Sequence, residues 1–275
     1  MMKQRVISFF FVALCQTLAS VAQEAAAPIR LPLRVHLVTG VEMVREAAVP
    51  GADPVRTVMT LPVKVEDVRA MVDQVNEIWA PAKIRWETDP AKGGGGIVSE
   101  QAGGGKLTKE RLQELAARVV ARNREEQGDW MTKVFPALAD PAHNEALLAE
   151  GSKTTYYHLY LFPYVGQTLQ GTARLSGTFA VVGAYSDKSP NKTGFPKLRP
   201  FCVPTKPGTG LLAVNFPADG ALSATMAHEL GHNLGLTHSD EGMPDNLMKG
   251  HVKLRLSPGQ IAAARKQALV GPRSP

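Results

Sequence analysis

One short run, HELGHNLGLTH at residues 228–238, constrains this chain more than any other part of its sequence. His228 and His232 are four residues apart, so on a helix they lie one turn apart on the same face. Two neutral imidazoles in that arrangement can hold one metal ion. An apolar stripe at four-residue spacing marks another face of the same helix: Leu222, Met226, Leu230 and Leu234. The run therefore predicts a helix with a metal-binding face and a core-facing side.

The second half of the run predicts a third ligand. Gly235 tolerates a positive φ, so the helix can end there and the chain can turn back. The turn would bring His238 to the metal beside His228 and His232. Three protein ligands leave a fourth position open for water, which is typical of a catalytic Zn²⁺ ion. Glu229 follows the first histidine and is the candidate general base, outside the ligand set.

With the methionine downstream, this pattern resembles the signature of the metzincin clan of zinc endopeptidases. Met248 ends the sequence DNLM at residues 245–248, ten residues after His238, and matches the methionine of the Met-turn. The resemblance implies that Met248 packs beneath the three imidazoles. Gly250 stands where astacins and serralysins have a tyrosine. The resemblance is therefore to the clan, and the family within it stays open.

The resemblance also implies an activity and a fold. One Zn²⁺ ion would activate water, and Glu229 would take its proton and pass it to the leaving amine, so that protein or peptide substrates are hydrolysed. Residues 249–252, just after Met248, would line the pocket for the side chain that follows the cut. The implied fold class is α+β: a twisted mixed sheet with helices, the active-site helix at the cleft, and a small C-terminal subdomain with the Met-turn and a terminal helix.

The first 22 residues have the pattern of a secretory signal peptide. Lys3 and Arg5 precede an apolar run at residues 6–18, and a small-x-small sequence ends at Ala22. The apolar run is short for a transmembrane span, so we expect cleavage near Ala22 and no stable membrane insertion. The remainder, residues 23–275, is predicted to be a single secreted or periplasmic domain. The metzincin resemblance divides it into an upper subdomain of about 31–235 and a lower one of about 236–275.

Charge gives no indication of nucleic-acid binding, and the cysteine content excludes an internal disulfide after signal-peptide removal. Removal of the signal peptide lowers the formal net charge from +6 to +4, and the basic residues are scattered along the chain, so nucleic-acid binding is not indicated. Cys15 leaves with the signal peptide, and Cys202 cannot form an internal disulfide alone. Residues 199–204, RPFCVP, superficially resemble the cysteine-switch peptide of matrix metalloproteinases, but their order and position differ. We interpret Cys202 as a small buried thiol.

Periodicity and composition predict the remaining elements. Strands are expected at residues 33–39, 83–87, 156–164 and 211–216. Helices are expected at residues 63–79, 107–124, 144–149 and 258–268. Loops are expected at residues 45–62, 93–105 and 186–210.

Three finer expectations follow from the same patterns. Residues 172–185 are read as one or two strands and, by the metzincin resemblance, as the sheet edge that pairs with substrate. His158 lies in the strand predicted at residues 156–164, which is rich in aromatic residues, and is interpreted as structural because the metal would already have three ligands. Asp219 or Ser223 could cap the active-site helix, and Ser257 should cap the C-terminal helix with Pro258 following it.

Two other functions remain open. A catalytically inactive zinc-binding interaction module would share the histidines, but Glu229 is present. A gluzincin-type peptidase would take its third ligand from a glutamate on a later helix, yet no comparable glutamate pattern follows, whereas His238 is in place. Zinc content and peptide cleavage, measured for the wild type and Glu229→Ala, separate these alternatives.

Overall fold

The computed structural model describes residues 27–39, 41–45, 55–101, 156–163, 170–173, 175–186, 197–214, 220–238, 242–249 and 254–271. The expectations for the signal peptide and for helices at 107–124 and 144–149 lie outside these residues. The described part mixes helices with a mostly parallel sheet, which agrees with the α+β class. None of its helices is long and apolar enough to cross a membrane.

The strands are short, apart from the first. They are β1 (Ile29–Thr39), β2 (Val41–Arg45), β3 (Val55–Met59), β4 (Ile84–Glu87), β5 (Gly96–Gln101), β6 (Tyr157–Phe162), β7 (Gly171–Ala173), β8 (Phe179–Gly183), β9 (Tyr185–Ser186) and β10 (Lys197–Leu198). The main sheet has the order β4-β1-β6-β8-β7, and β5 also pairs with β1. Within it only β7 runs antiparallel to its neighbour, and β7 lies at the end of the described sheet.

In the described residues, two helices pack against each other and against this sheet, and a third contacts β1. They are α1 (Val65–Trp79), α2 (Leu222–Asn233) and α3 (Pro258–Val270). The sheet supplies its core side chains from alternate positions of β1 and β6, including Leu33, Val35 and Leu159, all fully buried. Trp79, at the end of α1, donates from its indole Nε1 to the carbonyl of Ala227 at 3.3 Å. This bond ties α1 to the middle of α2.

Several predicted segments differ from the structure. The expected loop at 45–62 contains β3, which pairs with β2 as an antiparallel ribbon. The glycine-rich segment at 93–105 contains β5, because Ile97 packs against the core while β5 pairs along β1. The strand expected at 211–216 does not form over residues 211–214, where Leu212 makes one isolated bridge with Thr205, and residues 215–216 lie outside the described residues. The loop at 186–210 includes the two-residue strand β10.

The ends of the elements also shift by a few residues. The predicted helix at 63–79 begins at Val65, the strand at 83–87 begins at Ile84, and the C-terminal helix extends to Val270. Helix α2 begins after Ala221 and has no side-chain cap, so the prediction that Ser223 caps it is wrong, and Asp219 lies outside the described residues. Ser257 does cap α3, as predicted, with Gln260 completing a capping box.

Candidate metal centre

Helix α2 carries the first two histidines on a tightly packed support. Leu222, Met226, Leu230 and Leu234 are buried, as the stripe predicts. Gly231 lies between the two candidate ligands in sequence and allows close packing against the helix: a Cβ there would lie 2.8 Å from Met248 Sδ and 3.5 Å from Trp79 Cζ2. Met248 is itself fully buried. The methionine therefore lies directly under the helix segment that bears His228 and His232.

The three predicted histidines come together. One ring nitrogen from each of His228, His232 and His238 lies within 4.8 Å of the others, close enough to hold a metal ion. The Nε2 atom of His238 is 3.2 Å from the Nε2 atoms of both His228 and His232. The two helix histidines are half-buried and His238 is exposed. The site therefore opens to solvent on the His238 side.

Backbone carbonyls fix the orientation of the two helix histidines. His228 Nδ1 donates to the carbonyl of Leu247 at 2.7 Å, and His232 Nδ1 donates to the carbonyl of Leu236 at 2.7 Å. A carbonyl can only accept, so the proton of each neutral ring is on Nδ1 and the Nε2 lone pair faces inward. A single proton on His238 Nε2 could serve only one of these lone pairs at a time. A shared cation would satisfy the lone pairs of all three rings.

Burial favours the neutral form of His232, which is the form that a metal ligand needs. It lowers the pKa of His232, and the nearby His238 acts in the same direction, whereas the hydrogen bond to Leu236 opposes the shift.

The turn that leads to His238 is the predicted one: Gly235 has φ of 80°, and Leu236 donates its N–H to the carbonyl of Gly231 at 3.0 Å.

The turn between β7 and β8 lies against the same end of α2. Ser176 donates its backbone N–H to the carbonyl of His232 at 2.8 Å, which satisfies one of the last carbonyls of the helix. Ser176 has φ of 52°, a conformation that is uncommon for residues other than glycine. A Cβ on Gly235 would lie 3.1 Å from Ser176 Oγ. The sheet edge and the ligand-bearing helix are therefore in direct contact.

Glu229 points away from solvent, toward β7. Its side chain is buried, and a Cβ built on Gly171 would come within 2.7 Å of its Oε1 atom. Burial raises the pKa of Glu229 to about 8, and the positive charge of Arg199 opposes that rise. The candidate base therefore lies in a narrow space between α2 and the sheet edge.

Arg199 is the buried cation behind this space. Its guanidinium donates to the carbonyls of Gly220 at 3.1 Å and Gly183 at 2.9 Å, and more weakly to the carbonyl of Gln170 at 3.3 Å. It also donates to the hydroxyl of Thr225 in the first turn of α2. Arg199 thus connects the start of α2 to the start of β7 and the end of β8.

Two other candidates lie apart from the histidine cluster. His158 is buried on β6, where its Nδ1 lies 2.9 Å from Nε2 of His36 on β1. Burial lowers the pKa of His158 to about 3, with smaller effects from His36 and Arg34. Cys202 is only half-buried, so the prediction of a buried thiol is wrong in degree. Neither belongs to the group of possible ligands found among the described residues.

Sequence reasoning missed three residues that shape the site. Gly171 belongs to no recognised motif, and its role depends on the contact between β7 and Glu229 on α2, which are distant in sequence. Ser176 lies in an ordinary turn sequence. Arg199 stands in the RPFCVP sequence, and nothing in that sequence indicates that its guanidinium is buried behind Glu229.

Comparisons with known proteins give no family. No protein-family model matches the chain, and no curated protein sequence matches it. One solved structure that it matches, described as "Structure of a chaperone-substrate complex", has 12% sequence identity and a TM-score of 0.36. The match covers 90% of this chain and 36% of that chain, so this protein spans about a third of its length. A likeness this small supports no statement about fold or function.

Proposed function

We propose that this chain is a secreted zinc-dependent endopeptidase of metzincin type, in which Glu229 is the general base. The observation that carries the proposal is the convergence of three imidazole nitrogens beside a buried glutamate at the edge of a sheet. The HExxHxxGxxH pattern and Met248 beneath Gly231 support the metzincin assignment. The signal-peptide pattern at residues 1–22 supports export, and no nucleic-acid or membrane partner is proposed.

The ligand set fits zinc. Three neutral imidazoles with one remaining position are typical of a catalytic Zn²⁺ site. Nitrogen ligands at about 2.0–2.1 Å in tetrahedral geometry are separated by about 3.3 Å. His238 Nε2 lies 3.2 Å from each of the other two Nε2 atoms. The carbonyl partners of His228 and His232 are the kind of outer contact that orients histidine ligands.

The chain's own residues divide the remaining work. A bound Zn²⁺ ion supplies the Lewis acidity that lowers the pKa of water and polarises the scissile carbonyl. Burial raises the pKa of Glu229 to about 8, and the positive charge of a bound Zn²⁺ ion nearby would lower it, so that the side chain could act as a carboxylate. Glu229 would then accept the proton of the attacking water on a carboxylate oxygen and return it to the leaving amine, which leaves poorly unless protonated. Close packing against Gly171 restricts where the Glu229 side chain can lie, and the positive charge of Arg199 favours its ionised form.

The sheet edge favours a polypeptide substrate. Strand β7 is the last strand of the described sheet, and its Gly171 lies against Glu229. An extended peptide can join such an edge through backbone hydrogen bonds, which are independent of its sequence. A peptide bound in this way would pass close to the proposed base and the metal centre.

The decisive experiment measures zinc content and peptide cleavage for the wild type, Glu229→Ala and the control Glu77→Ala, which changes an exposed glutamate on α1. Glu229→Ala should retain zinc and lose roughly 10²–10⁴-fold in turnover, because the base is outside the ligand set. The control should match the wild type in both. Zinc binding without cleavage in the wild type would favour the inactive interaction module, and a wild type without zinc would refute the proposal.

A further inference from the structure

One peptide unit, between Leu247 and Met248, links the metal centre to the rest of the protein. Its carbonyl accepts the hydrogen bond from His228 Nδ1 at 2.7 Å. Its N–H donates to the side-chain Oδ1 of Asn246 at 2.8 Å, which closes an Asx-turn. The ring of His228 can therefore tilt only as far as this peptide plane allows.

Asn246 is in turn held by the C-terminal helix. Its Nδ2 donates to Gln260 Oε1 at 2.8 Å, and Gln260 Nε2 donates back to Asn246 Oδ1 at 3.1 Å. Both side chains are buried, Asn246 completely. Paired amides shielded from water make strong contacts, and each would leave an unsatisfied group if its partner were removed.

Backbone donors determine which way both amides face. Met248 N–H requires an oxygen from Asn246, and Ser257 N–H, 3.1 Å from Gln260 Oε1, requires an oxygen from Gln260. If either amide were flipped, an NH₂ group would oppose a backbone N–H. The pair therefore has one satisfied arrangement, and it connects the capping box of α3 to the peptide beside His228.

We propose that Asn246 and Gln260 are positioning residues of the metal centre, which fix the ring of His228 through the 247–248 peptide and so tie metal affinity to helix α3. The proposal rests on the proposed metal site, since it concerns how one of its ligands is held. Neither side chain touches the metal position, and both act through a backbone carbonyl. Leu247 N–H, which donates to the carbonyl of Arg255 at 2.6 Å, holds the other side of the same turn.

The test measures the zinc dissociation constant of the folded protein by chelator competition, together with the visible spectrum of the Co²⁺-substituted protein. The variants are Asn246→Ala, Gln260→Ala and Asn246→Ser, and the control is Ala264→Gly. Ala264 is fully buried on α3 and lies outside the hydrogen-bonded chain. Glycine there weakens the helix without changing the amide pair.

Loss of an outer partner of a metal-bound histidine typically weakens metal binding about 10–100-fold, so one step further out we expect about 3–10-fold for Asn246→Ala and Gln260→Ala. Their Co²⁺ spectra should shift even at saturating metal. Asn246→Ser should fall between Asn246→Ala and the wild type, because a serine hydroxyl can still accept from the N–H two residues on. Ala264→Gly should keep the wild-type affinity and spectrum.

Wild-type affinity and an unshifted spectrum in Asn246→Ala would overturn the proposal. An equal loss of affinity in Ala264→Gly, at equal loss of stability, would also overturn it, because the effect would then be general loosening of α3. Should Asn246→Ala not fold, Asn246→Ser decides on the same two measurements. A wild type that binds neither zinc nor cobalt would instead refute the metal site itself.

Discussion

The carboxylate of Glu229 lies against the backbone of Gly171, with no room for a side chain between them. A Cβ on Gly171 would be 2.7 Å from Oε1 and 2.8 Å from Cγ of Glu229, and 2.8 Å from the carbonyl of Val181. The glutamate can move, but the carbonyl belongs to the neighbouring strand. The position of the proposed base is therefore set by a glycine on the sheet edge.

Replacement of this glycine should displace the base. Gly171→Ala is expected to cost about 1–3 kcal/mol of unfolding free energy through overpacking. It should lower kcat/KM by roughly 10²-fold, since a misplacement near 1 Å is enough for such a loss. Urea unfolding and peptide kinetics check both. Gly208→Ala is the control for lost stability: a Cβ there meets nothing within 4 Å, but the φ of 74° makes alanine strained, so it should lower stability and leave kcat/KM unchanged. Unchanged kinetics in Gly171→Ala would contradict the assigned position of Glu229.

Removal of a ligand should separate zinc binding from folding. At a zinc concentration 100 times its dissociation constant, the wild type should gain about 2.7 kcal/mol of stability, which a chelator abolishes. His238→Ala should gain much less, and because His238 is exposed the metal-free variant should unfold much like metal-free wild type. Thermal unfolding with and without chelator measures this. A His238→Ala protein with wild-type zinc affinity and cleavage would show that the third ligand lies elsewhere.

Acid should destabilise the protein through His158. Its pKa is about 3 in the folded protein, well below the ordinary value of 6.5. Between these values His158 is protonated in the unfolded chain and neutral in the folded chain. The stability that this group contributes is therefore fully present above pH 6.5 and is lost as the pH falls toward 3. The loss is at most about 1.4 kcal/mol per pH unit. Unfolding of the wild type and His158→Gln across this range tests it, and equal slopes would contradict the assignment.

Cys202 should not control activity. Burial raises the pKa of its thiol, and the charges of Asp67 and Glu77 act in the same direction, so the protonated form is favoured and metal binding is disfavoured. Cys202→Ser is therefore expected to keep peptidase activity within about twofold and lose little stability, because the side chain is only half-buried. A severalfold rise in activity, or activation of the wild type by a mercurial, would support the cysteine-switch interpretation.

The three candidate ligands could be predicted because they are local in sequence. His228 and His232 share a helix face, and the φ of 80° at Gly235 turns the chain toward His238. The environment of Glu229 could not be predicted in the same way. Gly171 and Arg199 reach it from segments separated from it by loops, and nothing in their local sequence indicates which carboxylate they face. Tertiary contacts of this kind are visible only once the sheet is assembled.

The fold shows the same division between local and distant information. The pattern of α1 and the capping box of α3 depend on neighbouring residues, and both helices lie where the periodicity places them. Strand β5 lies in a glycine-rich segment that predicts a loop, and it forms because it pairs with β1 and not because of its own propensity. Helix α2 starts after Ala221 without a side-chain cap, so the preference for a polar N-cap residue wrongly favoured Ser223.

The hydrogen bond from the Ser176 N–H to the carbonyl of His232 sets the spacing between the sheet edge and the proposed metal position. It fastens the turn of the β7–β8 hairpin to the helix that bears two proposed ligands, so the distance from sheet edge to metal position is set within one short contact. An inhibitor could use that constancy. A chelating group joined to an extended backbone arm would have to reach the proposed metal position and the sheet edge together, so its linker length would have to match the spacing that this contact sets.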